Sequence, residues 1–296
     1  PAYSSTLEKV WVWSSFPSRS DFGGRDTGID LVARTKDGEY WAVQCKCYAE
    51  NHSVTKADMD TFLSTSGRMF RDADGKDVSF SLRVIVATTD NWSFNAVEVT
   101  KGQTIPVTII GLSILENAPV DWDEIEAGVH GKDARQKVHE LRDHQREALE
   151  AALNHYKDHD RGKMIMACGT GKTFTSLRIA EAILENDPEV GNERSGCVLF
   201  LAPSISLVGQ TLREWVSNSR TELNAVCVCS DTTVTKKRTE DDVGERVEDL
   251  GLPATTDPGK IAFRAMVSKD TTVVFSTYQS IDAVIAAQQH GLPEFD

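Results

Sequence analysis

Long hydrophobic runs are missing from this sequence. No apolar stretch approaches the length of a membrane span, and the N-terminal residues show no signal-peptide pattern. Cysteine is also scarce: there are six, mostly inside apolar strand-like runs, without the further Cys or His that a zinc site needs. These absences predict a cytoplasmic protein without a membrane partner, whose cysteines are reduced and packed in cores.

Positive charge is in short supply. The chain has 32 Lys and Arg against 45 Asp and Glu, a formal net charge of -13. This balance counts against nucleic acid as a partner, because phosphate contacts need basic side chains. Much of the acid, however, lies in segments with an exposed pattern, such as 121–124 and 240–245, and a binding groove needs only local positive charge. Composition therefore leaves the question of DNA binding to the motifs.

The length of 296 residues accommodates two ordinary domains, and 40% apolar with 26% charged residues is typical of globular proteins. Residues 119–137 are polar and acidic, contain Pro119, Gly128 and Gly131, and have no sustained hydrophobic period. We therefore predict a first domain at 1–118, a linker at 119–137 and a second domain at 138–296 that ends before its fold is complete.

A predicted hairpin in the first domain carries three polar side chains. A glycine-rich turn at 20–28 leads into a strand, Asp37-Gly38 predicts the hairpin turn, and 39–47 form the return strand. Alternation places Gln44 and Lys46 on one face of that strand, with Asp30 opposite them across the hairpin.

The other face of the return strand, which carries Cys45 and Cys47, is predicted to be the core. Helices at about 55–68 and 92–99 and strands at 82–87 and 105–110 follow, which predicts a compact mixed sheet flanked by helices.

Carboxylate, amide and ammonium groups that converge on one spot fit metal-assisted phosphodiester hydrolysis. Asp30, the Gln44 oxygen and the backbone carbonyl of Cys45 can hold Mg²⁺, and Lys46 can orient the attacking water and offset charge on the phosphate. Asp26 is a candidate second carboxylate, or equally a turn residue bonded to its own backbone. The alternative is that all are ordinary surface residues of a two-stranded ribbon.

The second domain is organised around a phosphate loop. The apolar run 164–167 is predicted to be a short buried strand, followed by Cys168-Gly169-Thr170-Gly171-Lys172-Thr173 and a helix over about 174–185. Backbone N–H groups of Gly169, Thr170 and Gly171 can surround phosphates, while Lys172 reaches the β- and γ-phosphates and Thr173 binds Mg²⁺. Met166 stands where the strict motif has glycine, so a chance glycine-rich turn is the alternative.

The flanking segments predict a parallel α/β layer. A helix opens at about 141–145, where Arg142 and Gln145 are candidate ATP-binding residues; the Gln145 amide can pair with both edges of adenine or can be plain helix surface. The apolar run 197–202 predicts a central parallel strand, with further strands at 225–229 and 272–275 and a helix from Ile281. Residues 231–260 are predicted to be an exposed loop.

These motifs resemble two families. The first domain resembles the Mrr-like branch of the PD-(D/E)xK nucleases in two segments, Gly23-Gly24-Arg25-Asp26-Thr27-Gly28-Ile29-Asp30 and Gln44-Cys45-Lys46. Gln44 stands where that family usually has Glu, so weaker metal binding is expected. The second domain resembles the first RecA-like domain of superfamily 2 helicases in the order of its motifs, which are Gln145, 166–173, 202–204 and 276–279. That resemblance implies DNA-backbone contacts for Ser204, Thr277 and Gln279, which could otherwise be helix caps.

The combination resembles the N-terminal part of type ISP restriction-modification enzymes. It implies an endonuclease that cleaves double-stranded DNA with Mg²⁺ and is driven along it by ATP, with methyltransferase and target-recognition modules further on in the polypeptide. S-adenosylmethionine would belong only to such a downstream module. The alternatives are a repair helicase-nuclease without a methyltransferase, and a catalytically silent DNA-clamping module on a motor. ATP turnover is not expected of residues 1–296 alone.

Overall fold

The computed structural model describes residue 3 and residues 6–23, 27–129, 131–187, 196–230 and 252–295. The chain forms two compact units that meet in sequence at Ala118 and Pro119. We call Thr6–Ala118 the N-terminal unit and the described residues of Pro119–Glu245 and Ala254–Asp296 the C-terminal unit. No helix among the described residues is long and apolar enough to cross a membrane.

The N-terminal unit is a mixed sheet with helices against it, as predicted. Its strands are β1 (Leu7–Val12), β2 (Leu31–Thr35), β3 (Tyr40–Lys46), β4 (Phe70–Arg71), β5 (Asp77–Val78), β6 (Phe80–Ala87) and β7 (Val107–Ile110), and its helices are α1 (Ala57–Thr65), α2 (Phe94–Thr100) and α3 (Leu112–Glu116). The main sheet has the order β1-β2-β3-β6-β7. Its first three strands are antiparallel neighbours, and β6 and β7 run parallel to β3.

The predicted hairpin joins β2 to β3. Gly38 adopts a positive φ of 84° that a side chain would strain. Its N–H donates to the Thr35 carbonyl at 2.9 Å, and the Thr35 N–H donates to Glu39 at 2.9 Å. This tight turn fixes the register, with Leu31 opposite Val43 and Val32 opposite Ala42.

The face of β3 that carries Gln44 is packed into the core. Tyr40 and Ala42 on this face lie in the main buried cluster with Phe62 of α1. The opposite face is buried at Trp41, but the prediction that Cys45 and Cys47 are buried in it is wrong, because both thiols are exposed. Alternation tells which side chains share a face, but the face that a helix covers depends on distant parts of the chain.

The C-terminal unit contains a parallel sheet, also as predicted. Its helices are α4 (Trp122–Glu126), α5 (Asp143–His155), α6 (Lys172–Asn186), α7 (Ile205–Asn218), α8 (Pro258–Val267) and α9 (Ile281–Gln288), and its strands are β8 (Cys197–Ala202), β9 (Leu223–Val228) and β10 (Thr271–Thr277). The strand order is β8-β10-β9, and both pairs are parallel.

Two local predictions for this unit are wrong. The segment 164–167 is not a strand, and the side chain of Ile165 is 91% exposed. An apolar run forms a strand only where another strand supplies ladder hydrogen bonds, and none of the described strands pairs with it. The central strand is β10 rather than β8. Helix α8, which the sequence patterns did not indicate, begins where the predicted loop ends, started by the Asp257 cap and Pro258. Residues 231–251 of that loop lie outside the described residues.

Candidate functional site

Asp30 is held across the hairpin against the end of β3. Its backbone N–H donates to the Val43 carbonyl at 2.9 Å, and its carboxylate accepts the Cys45 N–H at 2.7 Å. The two contacts flank Gln44 on both sides. Because Val32 is opposite Ala42, alternation puts Asp30 on the same side of the ribbon as Gln44 and Lys46.

The Gln44 side chain is buried with an unpaired oxygen. Only 3% of the residue is exposed, and its Oε1 atom has no hydrogen-bond partner. Its Nε2 atom would lie 3.2 Å from a Cβ built on Gly28, which has a φ of +72°. A buried carbonyl oxygen without a donor is costly, so this atom fits a position that a cation or water completes.

Lys46 ends β3 on the same face. Its ammonium makes no ion pair or hydrogen bond within the described part of the chain, but it lies close enough to Asp58 of α1 to contribute to lowering the pKa of that carboxyl. The larger cause of this lowered pKa is the hydrogen bond from the Thr55 N–H, at 2.8 Å. Tyr48 also donates to Asp58 at 2.9 Å. Lys46 therefore has a free ammonium with an ionised carboxylate nearby.

The oxygen donors at this site are suited to a hard divalent cation. Asp26 lies outside the described residues. Within the ranges that the structure describes, no cluster of three or more His, Cys, Asp or Glu is placed to hold a metal. A cation here would therefore rely on the Asp30 carboxylate with the neutral oxygens of Gln44 and the Cys45 carbonyl, which Mg²⁺ accepts when water fills its other positions.

Two glycines shape the predicted phosphate loop, although no strand leads into it. Gly169 and Gly171 both have positive φ, 74° and 80°. A Cβ on Gly171 would lie 2.4 Å from Nε2 of Gln145, whereas one on Gly169 would meet nothing within 4 Å. Helix α6 begins at Lys172 with no side-chain cap from Gly171, so its first N–H groups face the loop, as in helix termini that bind anions.

Lys172 and Thr173 are both in contact with protein groups. The Lys172 ammonium donates to the carbonyls of Ala167 at 3.0 Å and Met166 at 3.3 Å, contacts that a phosphate would have to replace. Burial raises the pKa of Glu214 of α7, and this carboxyl lies close enough to Thr173 and Phe174 for both residues to oppose that rise.

Gln145 connects α5 to the phosphate loop. It is buried, its Oε1 accepts the N–H of Arg142 at 2.9 Å, and its Nε2 donates to the Thr170 carbonyl at 3.0 Å. An amide has a second lone pair and a second N–H, so these contacts leave capacity for a base. Arg142 is exposed at the start of α5.

The three candidate DNA-binding residues lie around the carboxyl ends of two neighbouring strands. Ser204 follows β8 and accepts the Leu207 N–H at 3.3 Å, which makes it the cap of α7. Thr277 ends β10 opposite Ala202 but is buried, with its hydroxyl bonded to Ser280 at 3.2 Å. Gln279 is exposed. Ser204 thus acts as a helix cap, which was the alternative to a DNA contact. Gln279 is the side chain best placed for a ligand.

Comparisons with known proteins give a family for each part of the chain. Residues 1–132 match the Mrr_cat_2 family, described as restriction endonuclease, and residues 138–296 match the ResIII family, described as type III restriction enzyme, res subunit. The chain is similar over 100% of its length to a solved structure described as the ATP-dependent type ISP restriction-modification enzyme LlaBIII bound to DNA, with 34% identity and a TM-score of 0.73. The chain belongs to the type ISP restriction-modification family.

A second type ISP structure covers part of the chain. It is described as a nuclease-deletion mutant of LlaGI in complex with a DNA substrate mimic, and it matches 53% of this chain with 40% identity and a TM-score of 0.43. The chain spans 18% of the LlaBIII chain and 14% of the LlaGI chain. The search of curated proteins gave no match.

Sequence reasoning missed two features of this type ISP chain. The Thr27 hydroxyl, next to Gly28 in sequence, is buried without a hydrogen-bond partner. Glu214 lies close to Thr173, and Trp215 donates to the Thr173 carbonyl at 3.0 Å. Neither has a local signal, because the contacts join segments far apart in sequence.

Proposed function

We propose that this chain is the nuclease and ATP-binding part of an enzyme that cleaves double-stranded DNA with Mg²⁺ and moves along DNA with energy from ATP. The observation that carries the proposal is the unpaired, buried Oε1 of Gln44 beside the Asp30 carboxylate. Methyltransferase and target-recognition modules of the same polypeptide are proposed partners, as is the DNA.

The nuclease role rests on the geometry at the end of β3. Asp30, the Gln44 oxygen and the Cys45 carbonyl would hold the cation, which when bound supplies Lewis acidity and lowers the pKa of a water. The Cys45 N–H keeps the Asp30 carboxylate aimed across Gln44. The Lys46 ammonium, unpaired among the described residues, is free to orient the attacking water and to offset charge on the phosphate.

The ATP role rests on the loop before α6. Positive φ at both glycines opens the concavity, the first N–H groups of α6 face it, and Lys172 can exchange its two carbonyl contacts for phosphate oxygens. Thr173 would take the Mg²⁺ of the nucleotide. Gln145 fixes the loop and keeps a free lone pair and N–H for adenine, with Arg142 nearby.

The DNA partner is supported by relatives and by position. LlaBIII is described as bound to DNA, and Ser204 and Gln279 lie at the carboxyl ends of β8 and β10, where parallel sheets place ligand contacts. Thr277 would act by shaping this edge, because its side chain is buried.

Plasmid cleavage by the full-length enzyme tests the proposal. The wild type should cut in the presence of Mg²⁺ and ATP. Asp30→Asn should abolish cutting and keep ATP hydrolysis, whereas Lys172→Ala should abolish ATP hydrolysis and the cutting that depends on movement. Lys163→Ala, an exposed lysine just before the loop, is the control and should do neither. Cutting by Asp30→Asn at the wild-type rate would refute the nuclease assignment.

A further inference from the structure

Two consecutive side chains of α5 donate to the same carbonyl of the phosphate loop. The Nε2 atom of Gln145 lies 3.0 Å from the Thr170 oxygen, and the Nε2 atom of His144 lies 3.1 Å from it. A carbonyl oxygen has two lone pairs and no proton, so both nitrogens act as donors and both lone pairs are used. His144 therefore carries a proton on Nε2 in this contact, and the Thr170 carbonyl is directed towards the start of α5.

The direction of this carbonyl fixes the direction of the next N–H group. The peptide bond between Thr170 and Gly171 is trans, and the carbonyl oxygen and the amide hydrogen of a trans peptide point to opposite sides. The Gly171 N–H is therefore directed away from α5. It makes no backbone hydrogen bond within the described residues, so it remains available to an anion.

This peptide group needs support from outside the loop. Gly171 has a φ of 80° and no Cβ, so its own backbone restrains the peptide weakly. The Thr170 side chain does not restrain the carbonyl, because its hydroxyl donates to Ala167 at 2.8 Å. One donor would leave the peptide able to tilt about a single hydrogen bond, whereas two donors, from His144 and Gln145, fix its plane.

The imidazole of His144 has no other bond that would explain its position. The residue is exposed, and the contact with Thr170 is the only side-chain hydrogen bond that it makes within the described part of the chain. Gln145, in contrast, is buried and also accepts the Arg142 N–H. Substitution of His144 therefore removes a support of the loop without opening a cavity in the core.

We propose that His144 is a positioning residue of the nucleotide site, which together with Gln145 holds the Thr170 carbonyl so that the Gly171 N–H is presented to a phosphate group. This role rests on the proposed nucleotide site. It extends that site to a side chain that acts through the backbone of the loop, on the phosphate chain rather than on the adenine.

The test measures binding to the full-length protein by calorimetry, with Mg-ATP and with magnesium tripolyphosphate, which has a phosphate chain but no base or sugar. The amide of His144→Asn ends one bond short of the imidazole Nε2 and cannot reach Thr170. We expect this variant to bind both probes more weakly by the same factor, about three- to tenfold for one lost hydrogen bond. The amide nitrogen of His144→Gln is as many bonds from the backbone as the imidazole Nε2, so this variant should bind both probes like the wild type.

The matched control is His290→Asn, which changes an exposed histidine just after α9 and should leave both affinities unchanged. If His144→Asn weakens Mg-ATP but not tripolyphosphate, the side chain acts on the base or the sugar and the proposed role is wrong. Wild-type affinity in His144→Asn would also overturn it, as would a loss that His144→Gln shares, because the ring would then matter for its packing and not for its N–H. A wild type that binds neither probe would instead refute the proposed nucleotide site, and the role of His144 with it.

Discussion

The Asp30 carboxylate accepts the backbone N–H of Cys45 at 2.7 Å. This bond joins the residue just before β2 to the end of β3. Its donor is the neighbour of Gln44, whose amide oxygen lacks a partner. The hairpin thereby presents one charged and one neutral oxygen ligand together. This pairing determines how the site should respond to added charge.

Gln44→Glu should tighten metal binding in the nuclease unit. The substitution adds a negative charge beside Asp30, and more ligand charge raises the affinity of hard cations. Cleavage by the full-length protein should reach half its maximal rate at several-fold lower Mg²⁺. Gln103→Glu makes the same change where Arg83 donates to the side-chain oxygen at 3.1 Å, and the Mg²⁺ midpoint should not move. Equal midpoints for Gln44→Glu and the wild type would contradict this role of Gln44.

Gly28→Ala should reduce DNA cleavage by more than its loss of stability explains. The added Cβ would lie 3.0 Å from the Phe62 N and 3.2 Å from Gln44 Nε2, at a φ of +72°. Gly38→Ala carries the same kind of strain, about 1–2 kcal/mol, with no atom within 4 Å. Both variants should therefore lose stability in thermal melts, but only Gly28→Ala should lose most DNA cleavage. Comparable cleavage by the two variants would argue against a role for the Gly28 contact with Gln44.

Gly171→Ala should abolish tight nucleotide binding. A Cβ there would lie 2.4 Å from Gln145 Nε2, so the amide must leave the Thr170 carbonyl and the loop loses a support. Gly128→Ala also has positive φ but has no neighbour within 4 Å, and it should cost stability without affecting ATP. Calorimetry with Mg-ATP should give at least about tenfold weaker binding for Gly171→Ala alone. Unchanged affinity would mean that this loop does not hold the phosphates.

Local patterns were sufficient for the hairpin, the glycine turn before α6 and the type of each sheet. Asp37-Gly38 and the two glycines before Lys172 are residue types that favour a particular turn conformation. These turns can therefore be recognised from the local sequence. The buried face of β3, the exposure of Ile165 and the contact of Trp215 with Thr173 depend on which distant segments pack together. Alternation and spacing contain no information about those partners.

Asp58 should make α1 sensitive to acid. Its pKa is lowered from 3.8 chiefly by the Thr55 N–H, so the ionised form stabilises the fold above that value and the benefit is lost as the pH falls through the lower folded pKa. Hydrogen exchange of α1 amides in the full-length protein, corrected for intrinsic rates, should show weaker protection in Asp58→Asn at neutral pH. The difference from the wild type should close below pH 3.8. A difference that stays constant with pH would contradict the assignment.

The most direct test of two separate phosphate sites on one chain is to measure DNA cleavage and ATP hydrolysis on the same preparation of full-length Lys46→Ala. Lys56→Ala, which removes an exposed lysine at the start of α1 that pairs with Asp60, is the matched control and should retain both activities. We expect Lys46→Ala to hydrolyse ATP at close to the wild-type rate and to leave supercoiled plasmid uncut. Cleavage that persists in Lys46→Ala would contradict the account.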